Sequence, residues 1–158
     1  MEPSKNDPTT AIPDLATIVG DVLGDLAFLV SDDEQPEPRL GTLWMECRVS
    51  YSGPRGGTLR CWCTRDFAVQ LAANLLGLSP GSEAVLSGVD DVLREFMNVV
   101  CGQFVTACHG TDPVFNLSIP TASQRAQAPR FDFDGDEAAC ALTVSGEPFY
   151  CKYERERG

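Results

Sequence analysis

The sequence is poor in features that mark membrane, secreted and nucleic-acid-binding proteins. No apolar run approaches the roughly 20 residues that a membrane-spanning helix requires. The N-terminal stretch MEPSKNDPTT has no basic region leading into an apolar one, so we expect no signal peptide. Basic side chains number 12 against 23 acidic ones, and the net charge of -11 repels phosphate backbones and anionic lipid. We therefore expect a cytoplasmic protein that binds neither membranes nor nucleic acid.

Recognisable metal-site and disulfide patterns are also scarce. His109 is the single histidine, and the seven cysteines are an odd number scattered through apolar segments, which favours reduced thiols over a disulfide scaffold. The CWC run at 61–63, with Cys101, Cys108 and His109, matches no zinc template, and packed core thiols are the simpler interpretation. A catalytic pair of His109 with Cys108 or a distant cysteine stays open. The DFDGDE run at 132–137 imitates a calcium loop but has its glycine misplaced.

What the chain does contain is enough apolar material for one domain. Its 158 residues are 43% hydrophobic, and we expect a disordered tail at 1–12 followed by a single domain at 13–158. Apolar spacing of three to four predicts helices at 14–30, 66–76 and 87–109. Alternation predicts strands at 43–51, 59–63 and 114–120 and a closing hairpin within 137–154, with loops at 31–39 and between Pro120 and Phe131. Hairpins without βαβ crossovers predict an α+β fold, long helices packed on a largely antiparallel sheet.

The third predicted helix carries an unusual polar line. Asp91, Glu95, Asn98 and Gly102 fall within about 60° of one another on a helical projection. The opposite sector is apolar: Val89, Leu93, Phe96, Val100, Phe104 and Ala107. We therefore expect the line to face outwards.

Two features of this line are unexpected for an ordinary solvated face. Gly102 costs about 1 kcal/mol of helix stability against alanine. No lysine or arginine stands four residues after either acid to support it. A missing side chain beside an exposed amide leaves room for another surface to approach. The plainer alternative, that any exposed helix face is polar, stays open at this point.

A related pattern occurs earlier in the chain. The run DVLGDLAF at 21–28 aligns with DVLREFMN at 91–98: Asp-Val-Leu is shared, and Asp25 stands where Glu95 stands. Phe28 replaces Asn98. The two runs indicate an internal pseudo-repeat in which one copy has lost its amide.

These residues resemble the signature of the CheC/CheX/FliY family of chemotaxis phosphatases. That signature has an Asp or Ser, a Glu four residues on, an Asn three after that, and a proline some twenty residues later. Here it reads Asp91, Glu95, Asn98 and Pro120. Because the earlier copy has Phe28 at the amide position, the chain is similar to CheX, which has one working motif. The order of elements agrees with that family over about residues 14 to 153.

The resemblance implies a phosphatase of two-component signalling, acting on the aspartyl phosphate of a CheY-like receiver domain. Asn98 would position the attacking water and Glu95 would pair with the receiver's lysine. Asp91, Gly102 and Pro120 would support docking. The receiver supplies its own Mg²⁺, so no cofactor need be bound by this chain. The family also implies a homodimer. An adaptor that binds a receiver without dephosphorylating it is the alternative, and a purely structural or ligand-binding domain is the third.

Overall fold

A computed structural model of the chain describes residues 13–32, 36–37, 41–111, 114–129 and 138–155. The tail expected at 1–12 and the calcium-like run at 132–137 lie outside the described residues. In these ranges, three helices and seven strands follow one another in the order α1, β1, β2, β3, α2, α3, β4, β5, β6, β7. This arrangement confirms the α+β prediction. No helix in these ranges is long and apolar enough to cross a membrane.

Helix α1 (Leu15–Ala27) begins where the sequence predicts and ends three residues early. Asp14 caps its N-terminus by accepting hydrogen bonds from the Ala16 amide (3.1 Å) and the Thr17 hydroxyl (2.9 Å). The helix was predicted to reach Val30. It stops because Phe28 adopts a left-handed conformation with φ 57°, and its amide donates back to the Gly24 carbonyl at 3.2 Å.

The sheet consists of long central strands flanked by short ones. Their bounds are β1 (Ser31–Asp32), β2 (Trp44–Ser52), β3 (Gly57–Thr64), β4 (Asn116–Leu117), β5 (Thr121–Arg125), β6 (Ala139–Val144) and β7 (Glu147–Arg155). The order is β1-β6-β7-β3-β2-β4, and β5 also pairs with β2. Every pairing is antiparallel. The predicted hairpins at 43–63 and 137–154 are therefore confirmed.

The polar strand β5 was missed by the sequence prediction, which gave a strand at 114–120 and a loop after it. Only Asn116–Leu117 of that span is strand, and pairing resumes at Thr121. Strand β5 has no apolar alternation because it lies mostly exposed at an edge. It is held by backbone pairing with β2 and by an ion pair in which Arg125 Nη2 lies 2.6 Å from Glu46 Oε1.

Helices α2 (Arg65–Leu76) and α3 (Glu83–His109) form the rest of the helical layer. Helix α2 ends as predicted at Gly77, which takes the left-handed conformation with φ 67°. Helix α3 was predicted to start at Ser87, but it begins four residues earlier because the Ser82 hydroxyl caps it by accepting from the Val85 amide at 3.4 Å. Its end at His109, followed by Gly110, is as predicted.

A row of four cysteines crosses the sheet on the side that faces the helices. Cys140, Cys151, Cys61 and Cys47 are successive cross-strand partners on β6, β7, β3 and β2. All four are buried, and burial raises the pKa of Cys140 to about 12. All seven cysteines lie in described residues, and none of them forms a disulfide. They act here as small core side chains.

Native thiol chemistry is therefore expected to be confined to one position. Six cysteines are buried, whereas Cys108 near the end of α3 is half-buried. Buried thiols are inert because the reactive thiolate is disfavoured away from water, and burial raises the pKa of Cys101 to about 12. A thiol reagent at pH 8 should label about one cysteine per native chain and none in Cys108→Ser, with the other six reacting on unfolding. Rapid labelling of two or more native thiols would contradict the packing.

Candidate functional site

Helix α3 lies over the sheet with one face fixed by aromatic and aliphatic packing. Phe96 meets Phe149 of β7 edge to face at 5.9 Å between ring centroids, and Phe104 lies 4.7 Å from Tyr153. Leu93 is fully buried beside them. This packing determines the rotation of α3 about its axis and therefore which side chains point outwards.

The structure places the polar line of α3 on the side away from the sheet. Asp91 and Glu95 are exposed, while Asn98 and Gly102 are half-buried. The predicted apolar sector is buried from Val89 to Phe104, but Ala107 is exposed near the end of the helix, so its assignment to the core was wrong. The four residues of the line share one face over about three turns.

The carboxamide of Asn98 has no hydrogen-bond partner in the part of the chain that the structure describes. Among the described residues, no hydrogen bond involves its side chain, and its polar atoms are not sealed from solvent. The Glu95 carboxylate likewise has no ion pair in the described part of the chain. Both groups are thus free to contact water or a visiting surface. A carboxamide can donate to and accept from the same water molecule while remaining uncharged.

Asp91 has a basic neighbour, contrary to the interpretation of the sequence. The Arg94 guanidinium, three residues on, forms an ion pair with the Asp91 carboxylate. A basic residue three positions on faces an acid as well as one four positions on does, so the lack of a base at i+4 does not leave Asp91 unpaired. Glu95 is therefore the acid of the line that keeps an unpaired charge.

Open space continues along α3 beyond Asn98. A Cβ atom added at Gly102 would meet nothing within 4 Å, once the helix's own backbone is set aside. A shallow depression surrounds it, lined by Val99, Gly102, Gln103, Thr106 and Ala107. The side chain missing at Gly102 leaves this surface low, so another backbone or side chain can approach the Asn98 amide closely.

Pro120 lies apart from the helical line, in a segment that follows α3. It is half-buried and immediately precedes β5, rather than ending a long strand as predicted. Strand β5 contacts α3, so Pro120 directly precedes a strand that lies against this helix. The structure brings Asp91, Glu95, Asn98 and Gly102 together on one helix, and Pro120 stands on the neighbouring segment.

The earlier copy of the motif on α1 is structurally different. Asp21 and Asp25 are exposed there, but Phe28 has already left the helix and is 83% exposed in a left-handed conformation. No amide is therefore presented on α1 at the position that matches Asn98. This difference is consistent with one motif, on α3.

The alternative metal and thiol sites receive no support. No group of three or more His, Cys, Asp or Glu in the described ranges is arranged to hold a metal ion. His109 stacks on Phe115 at 4.9 Å and lies 6.0 Å from Tyr51. Burial lowers the pKa of His109, and Arg55 and Arg155 lower it further. A ring that packs against aromatic neighbours in this way is a structural arrangement.

The architecture defines a helix-on-sheet protein in which α3 carries an outward-facing polar line. The profile of the family described as "Chemotaxis phosphatase CheX" matches residues 45–141, more than half of the chain. The chain therefore belongs to this family, which confirms the resemblance noted from the sequence. A comparison with curated protein sequences finds no match.

Solved structures of the same fold resemble most of the chain. The CheX of Vibrio vulnificus has a TM-score of 0.66 at 18% identity, over 96% of this chain and 99% of that one. The CheX of Desulfovibrio desulfuricans has a TM-score of 0.65 at 16% identity, over 90% and 97%. The CheX–CheY–BeF3–Mg²⁺ complex from Borrelia burgdorferi gives 0.59 at 18% identity, over 93% and 100%. Identities this low show the fold alone.

Proposed function

We propose that this chain accelerates hydrolysis of the aspartyl phosphate on a CheY-like receiver domain. One observation carries the proposal. Glu95 and the Asn98 amide, which has no hydrogen-bond partner among the described residues, share the outward face of α3, and this face stays open around Gly102. The family description supports a phosphatase, and a relative of the same fold has been solved in complex with CheY. The net charge of -11 suits a partner with local positive charge.

The proposed chemistry asks little of this chain beyond positioning. An aspartyl phosphate is already activated, and its hydrolysis needs a water molecule held in line with the leaving oxygen. Asn98 holds that water, much as the glutamine of small GTPases orients theirs. An amide does this without adding negative charge near the phosphoryl oxygens. Mg²⁺ comes with the receiver, so this chain needs no cofactor of its own.

Docking is the proposed role of the residues around the amide. Glu95 pairs with the receiver's lysine and so sets the helix in register with the phosphoryl group. Asp91, Gly102 and Pro120 shape the contact, and Gly102 provides clearance. We also propose a homodimer in the cytoplasm. The exposed edge strand β5 is an edge that a partner copy could cover.

The deciding experiment adds a sub-stoichiometric amount of the purified chain to a phosphorylated receiver with Mg²⁺ and follows phosphate release. Multiple turnovers per chain above the receiver's own rate are expected. Unchanged release together with measurable binding to the phosphorylated receiver supports the adaptor instead. Neither acceleration nor binding would leave a structural or ligand-binding domain.

Glu95→Ala is expected to act mainly on partner engagement. A buried or shielded ion pair with a lysine contributes about 1.5–3 kcal/mol, so KM should rise about ten- to hundredfold while kcat falls less. Asp25→Ala removes an equally exposed acid from α1 and serves as the matched control, with no change expected. A Glu95→Ala variant that binds normally yet is inactive would contradict the docking role and place this carboxylate in the chemical step.

A further inference from the structure

We propose that Arg94 is a specificity-determining residue, which contacts the acidic part of the receiver's phosphorylation site while Glu95 contacts its lysine. The inference rests on the proposed docking of α3 onto a receiver. It adds a cationic contact that the Asp-Glu-Asn-Pro signature does not contain. It also gives Asp91 a defined task, which is to hold Arg94 in place before docking.

Arg94 lies beside Asn98 on the surface of α3. Arg94 and Glu95 precede Asn98 by four and three residues, so they stand on either side of it on the helix surface. Helical side chains lean towards the N-terminus, so the Asn98 amide lies over the turn that carries both residues. A surface that reaches the amide therefore passes between a cation on one flank and an anion on the other.

Helix α3 is rich in acidic residues and poor in basic ones. Helix α3 has four acidic residues (Glu83, Asp90, Asp91 and Glu95), and Arg94 is its one lysine or arginine. The chain has a net charge of -11, so its electrostatic field is mostly negative. The Arg94 guanidinium places a positive charge at the turn next to the proposed catalytic amide. It offsets repulsion where the partner itself carries negative charge.

The receiver's chemistry supplies the matching group. A site that binds Mg²⁺ beside a phosphoryl group presents carboxylate ligands together with phosphoryl oxygens. An arginine binds carboxylate or phosphate oxygens in a bidentate manner, which gives orientation as well as attraction. Three neighbouring side chains of α3 then contact three groups at the receiver's site. Glu95 pairs with its lysine, Asn98 holds the water, and Arg94 binds a carboxylate or phosphoryl oxygen.

The ion pair with Asp91 explains how Arg94 is kept ready. The Asp91 side chain is 77% exposed and that of Arg94 is 34% exposed, so the pair sits at the surface, where such pairs contribute little to folding. It can be exchanged for a partner's oxygen at small cost. Holding the guanidinium over the helix in the unbound protein reduces the side-chain entropy lost on docking.

The test measures kcat, KM and receiver binding for Arg94→Gln, Asp91→Asn and the double variant. Arg94→Gln should raise KM and the Kd for the receiver treated with beryllofluoride and Mg²⁺ by about ten- to hundredfold, with kcat within about threefold. The dependence of kcat/KM on salt should weaken. Asp91→Asn, which leaves Arg94 unheld, should raise KM by less than Arg94→Gln does, and the double variant should match Arg94→Gln. Arg48→Gln on the opposite sheet face is the control, with no change.

Two results would overturn the assignment of Arg94. If Arg94→Gln has the KM and Kd of the unchanged protein, Arg94 makes no contact. If the double variant recovers normal KM, Arg94 acts only by neutralising Asp91. In both cases the unchanged protein still accelerates release, so the proposed phosphatase function survives. If the unchanged protein binds without accelerating, the Kd series alone decides on Arg94. If it neither binds nor accelerates, both proposals fail together.

Discussion

Replacing Asn98 with alanine is expected to lower the acceleration of phosphate release by about a hundredfold or more. The reason is that the proposed chemistry has one group to hold the attacking water, and a misplaced nucleophile loses most of its advantage. Binding of the receiver should change little, because Glu95 and the surrounding surface stay in place. The free energy of unfolding should shift by less than about 0.5 kcal/mol, since no hydrogen bond within the described residues depends on this side chain.

A second helical asparagine provides the matched control. Asn74 on α2 donates to the Ala27 carbonyl at 2.8 Å and accepts from Gln70 at 2.7 Å, so it ties α1 to α2. Asn74→Ala should destabilise the fold by about 1–2 kcal/mol yet keep the phosphatase rate of the folded protein. The two variants thus separate a structural amide from a functional one. A normal release rate in Asn98→Ala would remove the basis of the proposed mechanism, and unfolding of that variant would show that its exposure is misjudged.

The exposure of the polar line was predictable because a buried helix face imposes its period on the sequence. Once Leu93, Phe96, Val100 and Phe104 are assigned to the core, the opposite residues have no other direction to take. Ala107 is the exception, because it is exposed although the helical projection places it in the apolar sector.

Strand β5 was beyond the reach of pattern reasoning for a physical reason. Its residues TASQR have no apolar alternation, and its strand conformation depends on hydrogen bonds to β2 and on the Arg125–Glu46 ion pair. These contacts join residues more than 70 positions apart. The same limit applies to the end of α1, where Phe28 takes a left-handed conformation that sequence patterns reserve for glycine.

In the candidate site, the residues can be picked out from the sequence, whereas their side-chain pairings cannot. The spacing of Asp91, Glu95 and Asn98 is visible in the sequence, and so is Arg94, but the ion pair that leaves Glu95 as the uncompensated acid depends on side-chain direction. The depression around Gly102 involves residues from three successive turns. A glycine on the outward side of a helix is nevertheless a useful signal in the sequence, because it lowers helix stability and so indicates that its missing side chain serves another purpose.

Gly102→Gln is expected to raise stability and lower activity at the same time. Glutamine is a better helix former than glycine, and a Cβ at this position meets no neighbour, so the free energy of unfolding should rise by about 0.5–1 kcal/mol. The added side chain fills the depression beside Asn98, and overlap with a docked receiver should raise KM by at least about tenfold. Urea unfolding and steady-state kinetics on the same preparation measure both effects.

Gly20 on α1 supplies the control that separates clearance from helix stiffening. It also lies within a helix with nothing within 4 Å of an added Cβ. Gly20→Gln should therefore gain similar stability and keep normal kinetics. Equal loss of activity in both variants would mean that the proposed activity needs a flexible helical layer. Normal KM in Gly102→Gln would mean that no partner surface reaches this turn. The proposed docking requires that Gly102→Gln gains stability and loses activity, whereas Gly20→Gln gains stability and keeps its activity.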